Sequence, residues 1–287
     1  VNALSFGGTA NVDTGAGNDS YSTGAGDDTA TMGTGNDTVN FNSIQGNDTF
    51  VGGENAGDRD RLVGDNLTED VTVDFSGPET GTIDNGTDTI TFSEFEAVNT
   101  GSGDDTVLGD TGNDTVYTVA GTDTITMGAG NDFVSAGDGD DTIDGGTGND
   151  TIYAGSGDDI ISLTGNFGDD TIRGGETGET NGDTLDGSAL TKDVTVNFTG
   201  DEAGTFDMGT NNATFSEIEQ VITGSGDDVI TGGTGSDTVF SGAGDDTITF
   251  SDGDSMSGGA GSDTFTLTDQ AGTDTITIDG GSGDETG

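Results

Sequence analysis

The chain of 287 residues has no cysteine, no histidine, no tryptophan and a single proline, and only four lysines and arginines stand against 56 aspartates and glutamates. Without cysteine there is no disulfide framework and no thiolate metal site. Without histidine the usual general base and the commonest zinc ligand are missing. So few basic residues cannot track a phosphate backbone, and no nucleic acid partner is expected. An anionic membrane surface would repel the chain, and no apolar run approaches the roughly 18 residues of a spanning helix, so no membrane insertion is expected. Only 27% of residues are hydrophobic, too few for an ordinary globular core. What the chain does have is glycine, 56 residues of it, and a formal net charge of −52.

Low hydrophobicity with high net charge points either to disorder or to a fold neutralised by cations. The placement of the acids decides between them. Segment 101–159 reads GSGDDTVLG, DTGNDTVYT, VAGTDTITM, GAGNDFVSA, GDGDDTIDG, GTGNDTIYA, GSGDD. Asp105, Asp114, Asp123, Asp132, Asp141, Asp150 and Asp159 are spaced nine residues apart without a break. Two residues after each comes a branched aliphatic: Val107, Val116, Ile125, Val134, Ile143, Ile152 and Ile161. The same phase holds at Asp19, Asp28 and Asp37, and again at Asp228, Asp237 and Asp246. A longer period lies above it. Asp19, Asp28, Asp37 and Asp48 map onto Asp141, Asp150, Asp159 and Asp170 by adding 122, and Asp263 opens a third copy. Duplication with small length changes is how solenoids grow.

Glycines in the GxG stretches permit a tight turn, and the Thr–Val or Thr–Ile pair suits a short strand. Two nine-residue units then make one coil, and successive coils stack by parallel pairing at roughly 4.8 Å. Val107, Ile125 and Ile143 would line one wall of a thin core, with Val116, Val134 and Ile152 on the facing wall. The aspartates sort into two columns, one with Asp105, Asp123, Asp141 and Asp159 and the other with Asp114, Asp132 and Asp150. At such a spacing two carboxylates repel by about 1 kcal/mol in water and about 3–4 kcal/mol at an effective dielectric near 20. A divalent cation between them reverses the sign. Oxygen-only ligands in glycine-rich turns favour Ca²⁺, in multiple copies, over zinc or copper.

GGTGNDTIY (145–153) resembles the glycine–aspartate nonapeptide of RTX proteins, the haemolysin-type calcium-binding repeat family. The resemblance covers about two thirds of the chain. It implies a parallel β-roll with Ca²⁺ between turns, export through a type I secretion channel, and folding on meeting extracellular calcium. It carries the ligand role to the aspartate of each repeat: Asp19, Asp28, Asp37, Asp105, Asp114, Asp123, Asp132, Asp141, Asp150, Asp159, Asp228, Asp237, Asp246 and Asp263. Wider steps lead to Asp48, Asp170 and Asp274, which join the same candidate set. VAGTD (119–123) and DTGND (110–114) lack the first turn glycine, and Asp254 is displaced by one residue from the phase.

The expected architecture is therefore all-β, a parallel β-roll or β-helix solenoid with two irregular wider-coil segments. Nonapeptide rolls span 1–52, 101–174 and 224–287, with irregular segments over 53–100 and 175–223, in one continuous rod on the order of 75 Å long. In the irregular segments VTVDF (71–75) answers VTVNF (194–198), and TFSEFEAVNTGSGDD (91–105) answers TFSEIEQVITGSGDD (214–228). Both pairs read as half-buried strands of wider coils in which a larger apolar core replaces the metal columns. A small inserted domain is the alternative. Pro78 falls in the loop SGPETG. Arg59, Arg61 and Lys192 are replaced between copies, so no shared role attaches to them. Glu94 and Glu96 recur as Glu217 and Glu219, two residues apart and expected to face solvent; they suggest a structural or extra cation role rather than acid–base catalysis.

No catalytic constellation emerges, and no enzyme activity is expected. The sequence reads as a secreted, extracellular or cell-surface calcium-binding structural protein: a filament, surface layer or adhesin stalk. The alternative is a secretion and folding module of a larger secreted protease, lipase or epimerase, and a calcium buffer is a weaker third. Neither end carries a capping element, which suggests a piece of a longer chain or end-to-end self-association into fibres.

Overall fold

A computed structural model describes residues 2–4, 7–53, 57, 59–175, 177–200, 202–233, 236–251, 253–268 and 277–279. Among them there is no helix, and so none long and apolar enough to cross a membrane. The chain forms two compact units, residues 1–141 and 142–287.

Each nine-residue unit gives one strand of about three residues. In T-V-x or T-I-x only the middle residue turns inward, as in Thr106–Leu108 and Thr124–Thr126, where Val107 and Ile125 are buried between more exposed neighbours. The chain then crosses to the opposite sheet at the next unit. In the first unit one sheet runs Asn2–Leu4, Ser20–Ser22, Thr38–Asn40, Arg61–Val63, Ala97–Asn99, Thr115–Ala120 and Phe133–Asp138, all parallel. The facing sheet runs Asn11–Asp13, Thr29–Thr31 and Asp48–Val51, then an antiparallel insert, then Thr106–Leu108 and Thr124–Thr126. Register advances by one coil of 18 residues, as in Val107↔Ile125 and Val116↔Val134.

The insert is a three-stranded meander, Thr89–Ser93 against Thr80–Asp84 against Thr72–Gly77. Its outer strands pair parallel with the regular coils on either side. The irregular segment thus stays within the solenoid's sheet, as the sequence suggests. The alternating strands around Val73 and Phe92 are where the sequence places them, and Pro78 lies in the tight turn after Gly77. Sequence reading misses the middle strand, because Thr80–Asp84 turns only Gly81 and Ile83 inward and so has little apolar pattern. Phe75 and Phe92 close the insert edge to face, 5.7 Å apart.

The second unit repeats this plan. One sheet runs Thr142–Asp144, Ile160–Ser162, Thr184–Asp186, Gln220–Ile222, Thr238–Phe240, Ser255–Ser257 and Thr277–Asp279, all parallel. The other runs Thr151–Ser156 and Thr171–Arg173, then the meander Asn212–Ser216, Ala203–Asp207 and Thr195–Gly200, then Val229–Thr231, Thr247–Phe250 and Thr264–Leu267. Phe198 and Phe215 repeat the aromatic contact at 5.5 Å.

Glycine is required in the turns for two reasons, both visible in GAGND (128–132). Gly128 and Gly130 have φ of 89° and 143°, which side chains disfavour. A Cβ on Gly130 would also stand 1.8 Å from the carbonyl oxygen of Gly112, one coil earlier. The coils therefore stack backbone on backbone, with carbonyl oxygens brought close to the turns of their neighbours.

Candidate metal centres

In an extended chain, residues two apart point to the same side. An aspartate two residues before an inward aliphatic must therefore face inward as well. Asp19, Asp28, Asp37, Asp48, Asp105, Asp114, Asp123, Asp132, Asp141, Asp150, Asp159, Asp170, Asp228, Asp237, Asp246 and Asp263 are all buried, none more than 5% exposed. Asp274 lies outside the described residues.

These carboxylates stack in rows along which each one reaches back one coil. The N–H of Asp105 donates to Oδ1 of Asp123 at 2.7 Å, and that of Asp123 to Oδ1 of Asp141 at 2.8 Å. The same link joins Asp28 to Asp48 and Asp114 to Asp132, both at 2.8 Å. In the second unit it joins Asp150 to Asp170 at 2.9 Å, Asp228 to Asp246 at 2.8 Å and Asp246 to Asp263 at 3.1 Å. A second, exposed row runs beside the first with the opposite polarity. There the side chain one position earlier accepts from the following coil: Thr122 N–H donates to Asp104 Oδ1 at 2.9 Å, and Asn131 N–H to Asn113 Oδ1 at 2.7 Å. This explains why the repeat reads Asn-Asp or Asp-Asp; each residue of the pair ties its coil to a different neighbour.

The irregular segments correct one expectation. The acids do not give way everywhere to an apolar core. In one row Val71 replaces the aspartate, its N–H donating to Asp105 Oδ1 at 2.9 Å, and Val194 does the same toward Asp228 at 2.8 Å. In the other row the acids continue. Asp37 N–H donates to Asp60 Oδ1 at 2.7 Å, and Asp60 N–H donates to Glu96 Oε2. Asp159 N–H donates to Asp183 Oδ1 at 2.9 Å, and Asp183 N–H to Glu219 Oε2 at 2.5 Å. Glu96 and Glu219 thus turn onto the rows rather than out into solvent. Asp254 also belongs, accepting from Asp237 N–H at 3.1 Å despite its displaced phase. Asp60, Asp183 and Asp254 share with the repeats the pattern of an aspartate two residues before a buried apolar side chain, Leu62, Leu185 or Met256. That local signal finds them where the nine-residue count does not.

The charge in these rows works against burial. Burial lifts the carboxyls of Asp105, Asp114 and Asp228 to about 6, those of Asp48 and Asp170 to about 7, and that of Asp183 to about 8, because the ionised form loses its hydration. Neighbouring acids, such as Asp123 and Asp70 around Asp105, push the same way. Asp123 and Asp246 are raised by burial too. No donor reaches Oδ2 of Asp123, Asp183, Asp246 or Asp263. The hydroxyls of Thr118 and Ser241 stand beside Asp123 and Asp246 and offset part of that rise, while donating to the carbonyls of Ala136 and Gly258.

Buried anionic oxygens that lack donors, set beside turn carbonyls, match a hard dication and not a soft or nitrogen-seeking metal. Among the described residues no three acidic side chains converge on one point. Coordination would therefore combine row aspartates with backbone carbonyls. Bound there, an ion would neutralise the rows and cross-link successive coils.

Two sheets of short parallel strands joined by glycine turns, with buried acids in register, define a parallel β-roll whose acid rows suit cations. The family model described as RTX calcium-binding nonapeptide repeat (4 copies) matches residues 13–43, 99–134, 135–163, 162–176 and 216–248. The chain belongs to this family, and its repeats are calcium-binding repeats. The matched ranges contain every candidate aspartate except Asp48, Asp263 and Asp274. No curated protein matches the chain.

Proposed function

We propose that the chain is an extracellular structural element, made rigid by many Ca²⁺ ions held along its aspartate rows, and serving as a filament, surface layer or adhesin stalk without enzymatic activity. The observation that carries this reading is the repetition of one design. The meander, the aromatic pair and the acid row through Asp60 and Glu96 recur as their counterparts around Asp183 and Glu219. Such duplication extends a scaffold, whereas a catalytic site needs only one copy. Export through a type I channel, which the family resemblance implies, is compatible with the same charge, since repulsion within the rows weakens the ion-free fold and external calcium adds folding free energy.

Electron microscopy of the protein at millimolar calcium tests this. Filaments or ordered arrays that vanish on chelation support it; dispersed single particles under both conditions oppose it. The family match favours a second reading, a folding and secretion module of a larger secreted enzyme, since the match concerns the repeat and not a whole protein. A hydrolase or epimerase domain in the same reading frame would decide for that version.

A further inference from the structure

The matched repeats leave out residues 177–215, and that stretch opens on a turn, residues 177–183, ahead of the strand Thr184–Asp186. The long turn is pinned by Asp158, whose Oδ1 accepts the N–H groups of Thr180 at 2.7 Å, Asn181 at 3.0 Å and Gly182 at 3.1 Å. It delivers Asp183 to the acid row fully buried, at 0% exposure. Oδ1 accepts the Asp159 N–H at 2.9 Å, while Oδ2 has no hydrogen-bond partner.

Another acceptor converges with Oδ2 above Gly174. Above the Cα of Gly174, the point where a Cβ would stand is 2.1 Å from Asp183 Oδ2 and 2.0 Å from the carbonyl oxygen of Glu217. That carbonyl belongs to a residue held at φ 58°, a left-handed conformation that costs a non-glycine residue about 1 kcal/mol or more. The carboxylate of Glu219 is adjacent, accepting the Asp183 N–H at 2.5 Å. The first irregular segment has the same arrangement. Above Gly52 the corresponding point is 2.5 Å from Asp60 Oδ2 and 1.7 Å from the carbonyl oxygen of Glu94, and Glu94 has φ 62°. One strained residue recurring with one buried acid argues for a function at both places.

The two distances above Gly174, 2.0 and 2.1 Å, together place the oxygens at most 4.1 Å apart, and a carboxylate and a carbonyl oxygen that close and out of water repel unless something positive joins them. We propose that Asp183 Oδ2 and the Glu217 carbonyl oxygen, with the Glu219 carboxylate beside them, form a divalent-cation site of the calcium class that lies outside the nonapeptide repeats. Its counterpart is at Asp60, Glu94 and Glu96. These sites carry the cation row across each irregular segment on one side, where the other row is broken by Val71 or Val194. The glycine is fixed by the approach of both oxygens, and the left-handed glutamate by the need to present its carbonyl.

The competing account is a neutral Asp183 whose carboxyl proton is donated to the Glu217 carbonyl. Calcium titration calorimetry on the full chain separates the two, comparing wild type with Asp183→Asn and Glu219→Gln. Asparagine can replace a neutral acid as donor but is a poor cation ligand. The proposal expects each variant to bind one ion per chain fewer than wild type and to gain less melting temperature from calcium. Unchanged stoichiometry in Asp183→Asn, with an unchanged calcium-induced shift, would overturn it in favour of the protonated acid. Should Asp183→Asn fail to fold, Glu219→Gln, which keeps an acceptor for the Asp183 N–H, decides instead: one ion fewer supports the site, and an unchanged count overturns it. Neither outcome depends on whether the chain forms filaments.

Discussion

The N–H of Asp105 donates to the Oδ1 of Asp123, 18 residues later, at 2.7 Å, and both side chains are about 1% exposed. The link joins two groups that would otherwise oppose the fold, a backbone donor at the mouth of a strand and a carboxylate removed from water. It satisfies half of that carboxylate and leaves the charge. Neutralising the charge is the task left to the cation.

Asp123→Asn and Asp123→Ala should therefore behave differently. Asparagine keeps an acceptor for the Asp105 N–H and removes a buried charge, so it should raise the melting temperature in chelator and lower it in calcium. Alanine leaves that N–H buried and unpaired, at a cost of about 1–3 kcal/mol, and should destabilise under both conditions. Thermal melts followed by circular dichroism, with and without calcium, check both signs.

Acidity should act in opposite directions on the ion-free and calcium-loaded protein. Asp105, Asp114 and Asp228 near 6, Asp48 and Asp170 near 7 and Asp183 near 8 all lie above the ordinary carboxyl value of 3.8. The folded state holds these protons more tightly than the unfolded state does. Their contribution to stability is complete below the ordinary value and is lost as pH rises through 6 to 8. Metal-free protein should thus be most stable near pH 4 and weaken towards pH 8. Calcium affinity should rise over the same interval, because the ion competes with the protons. Denaturant melts across this range, paired with calcium titrations, would show the crossing trends.

Turn glycines separate by what lies above them. Gly128 and Gly209 have similar φ, 89° and 81°, but a Cβ on Gly128 would stand 2.3 Å from the Asp110 carbonyl oxygen, while nothing lies within 4 Å at Gly209. Gly209→Ala should lose only the conformational term, about 1–2 kcal/mol. Gly128→Ala should lose clearly more, and should weaken calcium binding by forcing adjacent coils apart. Equal losses of stability in the two variants would contradict the close stacking of coils.

The aromatic contact inside the meander should respond to packing more than to calcium. Phe92 is buried against Phe75 across the insert. Phe92→Ala should cost about 3–5 kcal/mol, with nearly the same loss measured in calcium by denaturant unfolding at each of several ion concentrations.

Much of this molecule can be read from its spacing. The nine-residue interval between aspartates, with a branched aliphatic two residues on, places Val107, Ile125, Val116 and Val134 in the two walls where they are found. It also places the repeat aspartates in buried rows. The departures come where spacing ceases to be the signal. Asp60 and Asp183 come 23 and 24 residues after Asp37 and Asp159, so a count of nine passes over them, although the local pattern of acid and apolar residue persists. Glu96 and Glu219 read as solvent-facing because their segment looks like a strand, whereas the chain bends there between Thr89–Ser93 and Ala97–Asn99, or Asn212–Ser216 and Gln220–Ile222. The exposed row through Asn113 and Asp104 is missed for another reason. A reading that looks for ligands weighs the buried acid and overlooks the neighbour whose work is to hold the next coil.

The most direct test is a crystal structure grown in millimolar calcium, with data collected at a wavelength where calcium scatters anomalously. The account predicts anomalous peaks along the aspartate rows, recurring at the spacing of one coil, with Oδ2 of residues such as Asp123 and Asp246 among the ligands. Carboxylates in the same rows without anomalous density between successive coils would contradict it.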